Sequence, residues 1–191
     1  KEESVEDGIF VRIIGFYNSL RFENTTDSHT LTVQGNSFSG NPGGVSSTLS
    51  APLTLENNWW GCNAGPAQPG CDTITGLVDA NPWLVLTFAP DVNRVAPGAS
   101  QVLTANLLFN SNGQDVSALN LDVVSTTASL TASLGSFNPT SAPLSVGVAS
   151  TLYTAPANPG IANICSQVDN QQVCKSLFIA GDVLFLPSII R

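Results

Sequence analysis

The sequence predicts an all-β protein with two folded parts, a short solenoid of stacked coils over residues 1–85 and a β-sandwich over residues 86–180, followed by an apolar tail strand over residues 181–191. Three observations predict this organisation. A strand-and-corner pattern recurs after 22 residues, the second half consists of strand-length runs separated by turn signals, and two cysteine pairs share one spacing. With 191 residues and 42% hydrophobic content, the chain can bury such cores.

The chain carries few charges, and their balance is acidic. Only 10% of its residues are charged and the formal net charge is −8, so no basic stripe is present to bind nucleic acid or an anionic membrane surface. No stretch approaches the roughly 18 to 20 apolar residues that a membrane-spanning helix needs. Methionine is absent, also at position 1, and we therefore expect a mature secreted protein or a fragment of a longer one.

The repeat lies in the first half, where LTVQGNSFSGN (residues 31–41) aligns with LTLENNWWGCN (residues 53–63). In each copy apolar residues alternate with polar ones before an asparagine, which indicates a strand followed by a corner. Upstream, Ile9, Val11 and Ile13 and then Leu20 and Phe22 continue the alternation, which predicts another coil before these two. The identical positions are Leu31 and Leu53, Thr32 and Thr54, Asn36 and Asn58, and Asn41 and Asn63.

The segment NNWWGCNAGPAQPG, followed by ITGLVDANPWL, resembles the closing coil of right-handed parallel β-helix repeat proteins of bacterial surfaces. The resemblance covers roughly residues 8–85, with the closing coil at 53–85, and implies a short right-handed parallel β-helix of about three coils. In that family the tryptophans pack into the solenoid end and Pro-Trp-Leu marks its exit. The same roles are implied for Trp59, Trp60 and Trp83.

The adjacent tryptophans permit two interpretations. One is an aromatic platform that stacks on sugars, and the other is packing in the core and the cap of the solenoid. Neighbouring residues on a strand point to opposite faces, so Trp59 and Trp60 cannot both lie in one core. Trp59 is therefore the candidate for an exposed ring and a glycan contact.

From about Leu86 onwards the pattern is that of a sandwich, with about seven strands in roughly 95 residues. VAPGASQVLTANLLFNSNGQDV and LTASLGSF resemble the bacterial Ig-like domains of invasin-type surface proteins. That family lacks a general catalytic site, so the resemblance implies a spacer or an adhesive module. The alternating apolar positions are Leu103, Ala105, Leu107 and Phe109, then Leu119, Leu121 and Val123, then Leu130, Ala132 and Leu134.

The four cysteines form two pairs, Cys62 with Cys71 and Cys165 with Cys174, each with eight intervening residues. Zinc sites favour two to four intervening residues, so this spacing disfavours a metal. A two-residue turn after Val168 would place Cys165 opposite Cys174 at a non-hydrogen-bonded position, where a Cα separation of about 4.5 Å permits a disulfide. The first pair brackets a Gly- and Pro-rich loop. Two local disulfides predict an extracellular protein.

Few residues offer chemistry, and we expect no catalytic site, no cofactor and no metal. The single histidine, His29, lies in a polar turn, where a surface role is the usual one. Asp72 and Asp79 lie near the closing coil, where either turn capping or a weak calcium site is consistent with the sequence. Asn24 begins an N-glycosylation sequon.

The tail after residue 181 is apolar but too short to span a bilayer. It is expected to be either a final edge strand of the sandwich or a segment that pairs with a neighbouring subunit by strand addition. The predicted assembly residues are Val183, Leu184, Phe185, Leu186, Ile189 and Ile190.

The sequence thus predicts an extracellular, non-enzymatic structural protein, a cell-surface or filament-forming subunit that self-associates through strand edges and its tail. The alternatives are the C-terminal carbohydrate-binding or adhesin module of a larger secreted protein, with a polysaccharide as partner, and a polysaccharide-cleaving enzyme.

Overall fold

The computed structural model describes residues 9–14, 19–24, 33–40, 44–90, 93–119, 121 and 126–181, and in these ranges the protein is all-β apart from a 3₁₀ turn at Ser117–Leu119. None of the helical structure in these ranges is long and apolar enough to cross a membrane. The strands are β1 (Ile9–Ile14), β2 (Ser19–Asn24), β3 (Val45–Ser47), β4 (Leu53–Thr54), β5 (Ile74–Thr75), β6 (Val78–Asp79), β7 (Leu84–Pro90), β8 (Arg94–Val95), β9 (Ser100–Asn110), β10 (Thr127–Ala132), β11 (Ser136–Asn138), β12 (Ser141–Pro143), β13 (Val148–Thr154), β14 (Gly160–Val168) and β15 (Gln171–Ile179).

Short strands in the first half stack in parallel. In one sheet β2 pairs with β3 and β3 pairs with β5, and in a second sheet β4 pairs with β6. A parallel bridge also joins Ser37 to Trp59, 22 residues further along the chain. The Ser37–Trp59 bridge has the spacing of the 22-residue repeat, whereas the paired strands of the two sheets lie 25 to 29 residues apart. Their small core contains Phe38, Val45 and Trp60, with Trp83 packed against it.

The prediction of another coil upstream is wrong in part, because β2, which contains Leu20 and Phe22, pairs parallel with β3, whereas β1 does not join the parallel stack. β1 pairs antiparallel with β2, with Ile9 opposite Asn24 and Ile14 opposite Ser19. Four residues connect the two strands, whereas a parallel crossover needs a dozen or more. Because the sheet order is β1-β2-β3-β5, β1 pairs with the edge of β2 that the parallel stack would otherwise leave open.

The second half is a β-sandwich. One sheet has the order β11-β13-β9-β7 and the other β12-β10-β14-β15-β8, and side chains from both form one core. Across the first sheet, β7, β9, β13 and β11 take the places of strands A, B, E and D of an immunoglobulin sandwich, and across the second sheet β10, β14 and β15 take those of C, F and G. β7 begins at Leu84, so the boundary predicted after residue 85 falls inside a strand.

Candidate functional site

Two disulfide-closed segments meet where the stacked coils join the sandwich. The first is the closing loop, residues 61–72, which contains the Cys62–Cys71 disulfide with a Cα separation of 5.2 Å. The second is the β14–β15 hairpin, which contains the Cys165–Cys174 disulfide with a Cα separation of 4.1 Å. We call the contact between the closing loop and the turn of this hairpin the junction.

The hairpin has the register expected from its sequence. Val168 lies opposite Gln171 and Cys165 lies opposite Cys174, so Asp169 and Asn170 form a two-residue turn. Asp169 adopts a φ of 49°, in the left-handed region that such turns require and that aspartate tolerates. This turn points toward the stacked coils.

The junction buries Trp59, which corrects the prediction of an exposed ring there. Trp59 and Trp60 are both 0% exposed, but Trp60 packs in the core of the stacked coils and Trp59 packs in the core of the sandwich. The alternation argument holds, since the two rings do point into different cores. It led to a wrong conclusion because the sandwich covers the outer face, so Trp59 is not available to stack on a sugar.

Hydrogen bonds connect the closing loop and its neighbours to the hairpin turn. Nε1 of Trp59 donates to Oδ2 of Asp169 at 2.7 Å. Asn170 donates from its backbone N–H to the carbonyl of Gly61 at 3.2 Å and from Nδ2 to the carbonyl of Gly70 at 2.8 Å. The turn therefore contacts the chain just before Cys62 and just before Cys71.

Asn63 links the closing loop to the edge of β7. Its Oδ1 accepts from the N–H of Leu86 at 2.6 Å and its Nδ2 donates to the carbonyl of Leu86 at 2.9 Å. This two-way exchange is what a paired strand residue would supply. The backbone of Asn63 is also fixed, because its N–H donates to Oε1 of Gln171 at 2.8 Å and its carbonyl accepts from Nε1 of Trp83 at 3.0 Å.

The indole of Trp83 lies directly on the closing loop at Gly65. Gly65 has a φ of 88°, and a Cβ there would lie 2.5 Å from Cε2 of Trp83. Glycine is thus required both by the backbone conformation and by the close approach of the ring. On the other side, Trp83 receives a hydrogen bond at its backbone carbonyl from the N–H of Ser111, at 2.7 Å.

The asparagine that recurs in the repeat supports the junction from within the coils. Asn58 is buried, and its Nδ2 donates to the carbonyl of Val33 at 2.6 Å and to that of Leu55 at 2.7 Å. Its Oδ1 accepts from the N–H of Asn36, the equivalent residue of the preceding copy, at 2.9 Å. Buried amides that are satisfied in this way hold successive corners in register.

Most of the remaining predicted residues lie outside the part of the chain that the structure describes. His29 and the tail residues, Val183, Leu184, Phe185, Leu186, Ile189 and Ile190, lie outside the described residues, and the side chain of Asn24 is also outside them. Oδ1 of Asp79 accepts from the N–H of Asn81 at 3.2 Å, the geometry of turn capping. Among the residues that the structure describes, no group of three or more His, Cys, Asp or Glu side chains is placed to hold a metal ion.

Two perturbed groups lie in the sandwich, away from the junction. Burial raises the pKa of Tyr153, whose hydroxyl donates to the carbonyl of Leu134 at 2.7 Å. Hydrogen bonds from Ser117 lower the pKa of Asp115, which lies two residues before the 3₁₀ turn. Among the described residues, the causes of these two shifts are hydrogen bonds to Ser117 and burial, and not the charge of a second titratable side chain, as in a catalytic pair.

Sequence reasoning missed the polar residues that form the junction, namely Asn63, Asp169 and Asn170. Asn63 was identified as an identical position of the repeat, but its partner, Leu86, lies on a strand of the other folded part. Asp169 and Asn170 were identified as turn residues. Nothing local indicated that the turn would meet a loop about 100 residues earlier.

Comparisons with known proteins give no family, because no family model and no curated protein matches the chain. Among solved structures the chain is similar to the Yersinia pseudotuberculosis adhesin InvE, with 20% identity and a TM-score of 0.37 over 49% of this chain and 26% of that one. It is also similar to the D0-D1 domain of Intimin, with 12% identity and a TM-score of 0.38 over 50% of this chain and 47% of that one.

Domains 4 and 5 of the S-layer protein SbsC match with 18% identity and a TM-score of 0.33, over 56% of this chain and 57% of that one. The chain thus spans 26% to 57% of the length of these three proteins. Likenesses at these TM-scores carry no argument about the function of this chain.

Proposed function

We propose that this protein is an extracellular, non-enzymatic structural module of a cell surface, in which a short parallel β-helix and an Ig-like sandwich form one stiff unit. The junction carries this proposal. Trp59 enters the sandwich core from the stacked coils, and the hydrogen bonds of Asn63 and Asn170 fix the loop against β7 and the hairpin turn. Such a contact holds two parts at a fixed angle, which a spacer requires.

The disulfides support an extracellular location. Each of the two disulfides closes a short segment, with a sequence separation of 9 between its cysteines. Disulfides persist in oxidising compartments rather than in the cytosol. The acidic net charge of −8 with few charged residues suits a surface module that does not bind nucleic acid.

The module would self-associate with neighbouring copies through strand edges and its tail, residues 182–191. A carbohydrate-binding role has no support at Trp59, since the ring is 0% exposed.

Measurement of one distance across the junction tests the stiffness. Spin labels attached through non-natural amino acids at the exposed positions Ser50 and Ser129 avoid disturbing the disulfides. We expect a single narrow distance distribution from pulsed electron spin resonance, and a broad one after Trp59→Ala. A broad distribution in the unmodified protein would contradict a stiff module.

Electron microscopy of the full chain and of a variant lacking residues 182–191 tests the assembly. Filaments or ordered oligomers that disappear with the truncation are expected. Monodisperse particles in both samples would exclude the subunit role and leave a monomeric spacer.

A further inference from the structure

The two disulfides differ in how far solvent reaches their cysteines. In the closing loop, Cys62 is 5% exposed and Cys71 packs against the core of the stacked coils. In the hairpin, Cys165 is 8% exposed, whereas Cys174 is an exposed residue. Thiol–disulfide exchange begins when an external thiolate attacks a sulfur atom, so its rate depends on access to that atom. Access therefore favours attack at Cys174.

The strand ladder explains the different exposure of the two hairpin cysteines. Cys165 lies on β14 between Thr131 of β10 and Cys174 of β15, so side chains flank it on both sides. Directly opposed residues share a face of the sheet. Because the adjacent Ile164 points into the sandwich core, Cys165 and its two partners point outward. Attack at Cys174 consequently requires no opening of the core.

A neighbouring amide favours Cys165 as the leaving group. Nδ2 of Asn163 donates to Sγ of Cys165 at 3.7 Å. When a disulfide breaks, the leaving sulfur carries the negative charge, and a hydrogen bond to a charged acceptor is stronger than one to a neutral acceptor. The Asn163 amide therefore stabilises the thiolate that develops on Cys165 more than it stabilises the intact disulfide. Access to Cys174 and stabilisation of Cys165 favour the same direction of attack.

We propose that Cys174 is a site of thiol–disulfide exchange with low-molecular-weight thiols, with Cys165 as the leaving group. The incoming thiolate bonds to Sγ of Cys174 while the Cys165–Cys174 bond breaks, and the electron pair of that bond stays on Sγ of Cys165. Cys165 takes up a proton from solvent, to which the incoming thiol has lost one. One disulfide is thus exchanged for one mixed disulfide and one thiol. Such a reversible covalent site goes beyond a structural role.

The hairpin is built to survive this exchange. Its ladder continues on both sides of the disulfide, from Gly160 opposite Ile179 to Val168 opposite Gln171, and we expect the opened hairpin to keep it. Cys165 then stays opposite the adduct and can attack it, which closes the disulfide again and releases the small thiol. The population of the adduct therefore rises with the concentration of the external thiol.

Mapping of the adduct in the full chain tests the proposal. The folded protein is incubated with reduced glutathione, the exchange is quenched with acid, and a peptic digest is analysed by mass spectrometry. We expect glutathione on Cys174, a free thiol at Cys165 and an intact disulfide in the closing loop. The proposal is overturned by an adduct on Cys165, by a first adduct in the closing loop, or by no adduct at any glutathione concentration.

Two single substitutions measure access in the absence of the closing reaction. Cys165→Ser leaves Cys174 as a free thiol, and Cys174→Ser leaves Cys165 as a free thiol. With oxidised glutathione we expect Cys174 to form its adduct about tenfold faster than Cys165, because only Cys174 is exposed. Equal rates, or faster modification of Cys165, would contradict the proposed direction of attack.

Asn163→Ala tests the contribution of the amide. The opening of the hairpin disulfide should slow about threefold to tenfold, which is the effect of one lost hydrogen bond, while the adduct stays on Cys174. Gln167→Ala is the matched control, because Gln167 is also an exposed amide two residues from Cys165, but its Nε2 donates to the carbonyl of Asp169. An unchanged rate in Asn163→Ala, or equal slowing in both variants, would contradict the role of Asn163.

Discussion

The two disulfide-closed segments have the same sequence separation of 9 but differ in what surrounds each disulfide. The Cys165–Cys174 disulfide lies within a ladder that runs from Gly160 opposite Ile179 to Val168 opposite Gln171. The Cys62–Cys71 disulfide closes an irregular loop. In that loop the N–H of Ala67 bonds to the carbonyl of Asp72, and the N–H of Cys71 to that of Gln68. Equal spacing therefore gives equal closure entropy, but we expect the loop, which has no strand ladder, to depend more on its disulfide for its shape.

The largest expected effect comes from the tryptophan that connects the two segments. Trp59→Ala should lower the free energy of unfolding of the sandwich by about 3 to 5 kcal/mol, because it leaves a cavity in that core. Trp60→Ala should cost a similar amount in the stacked coils. Amide hydrogen exchange distinguishes the effects of the two variants. Trp59→Ala should increase exchange in β7 and β9, and Trp60→Ala should increase exchange in β3 and β4. Identical exchange patterns would contradict the assignment of the rings to separate cores.

Removing each disulfide in turn tests the comparison directly. Replacing Cys62 and Cys71 with serine should cost about 2 to 3 kcal/mol and increase amide exchange at the junction. Replacing Cys165 and Cys174 with serine should cost no more than that and leave the exchange pattern of the hairpin unchanged, since its ladder remains. Denaturant unfolding gives the free energies. Loss of the hairpin pattern in the second variant would show that the ladder does not hold without its disulfide.

Asn170→Ala removes one side-chain contact between the segments. Loss of the Nδ2 bond to the carbonyl of Gly70, at an exposed site, should cost about 0.5 to 1.5 kcal/mol. Gln172→Ala, two residues away and exposed, is the matched control and should cost less than about 0.5 kcal/mol. Equal losses in thermal unfolding would mean that the Asn170 contact does not stabilise the junction.

The smallest effect concerns a group remote from both segments. Because the pKa of Tyr153 is raised in the fold by burial, the folded protein keeps the phenolic proton at a pH where the unfolded chain has lost it. This contribution to stability is fully present below a pH of about 10, the ordinary pKa, and is lost as the pH rises through the raised value.

Tyr153→Phe should therefore flatten the decline in unfolding free energy above a pH of about 10. Unfolding titrations from pH 9 to 11, kept short to preserve the disulfides, measure the slope. An unchanged slope would assign the alkaline sensitivity to other groups.

Much of the local structure could be predicted from the sequence. The register of the β14–β15 hairpin followed from a two-residue turn and the alternation of strands, since both are set by residues within the segment. The 22-residue repeat predicted that Asn36 and Asn58 occupy equivalent corners, and the two residues indeed hydrogen-bond. The antiparallel pairing of β1 was missed because alternation gives the faces of a strand but not the direction of its neighbour.

The sequence by itself determined an all-β chain, its turn positions and the opposite directions of Trp59 and Trp60, because these depend on residues a few positions apart. Tertiary structure alone decided that the outer face of the coils is covered, that Asn63 pairs with the edge of β7, and that the hairpin turn meets the closing loop. Each of these contacts joins residues 23 to 110 positions apart. Periodicity within a segment assigns a side chain to a face, but only the packing of distant segments decides whether that face meets water or another core.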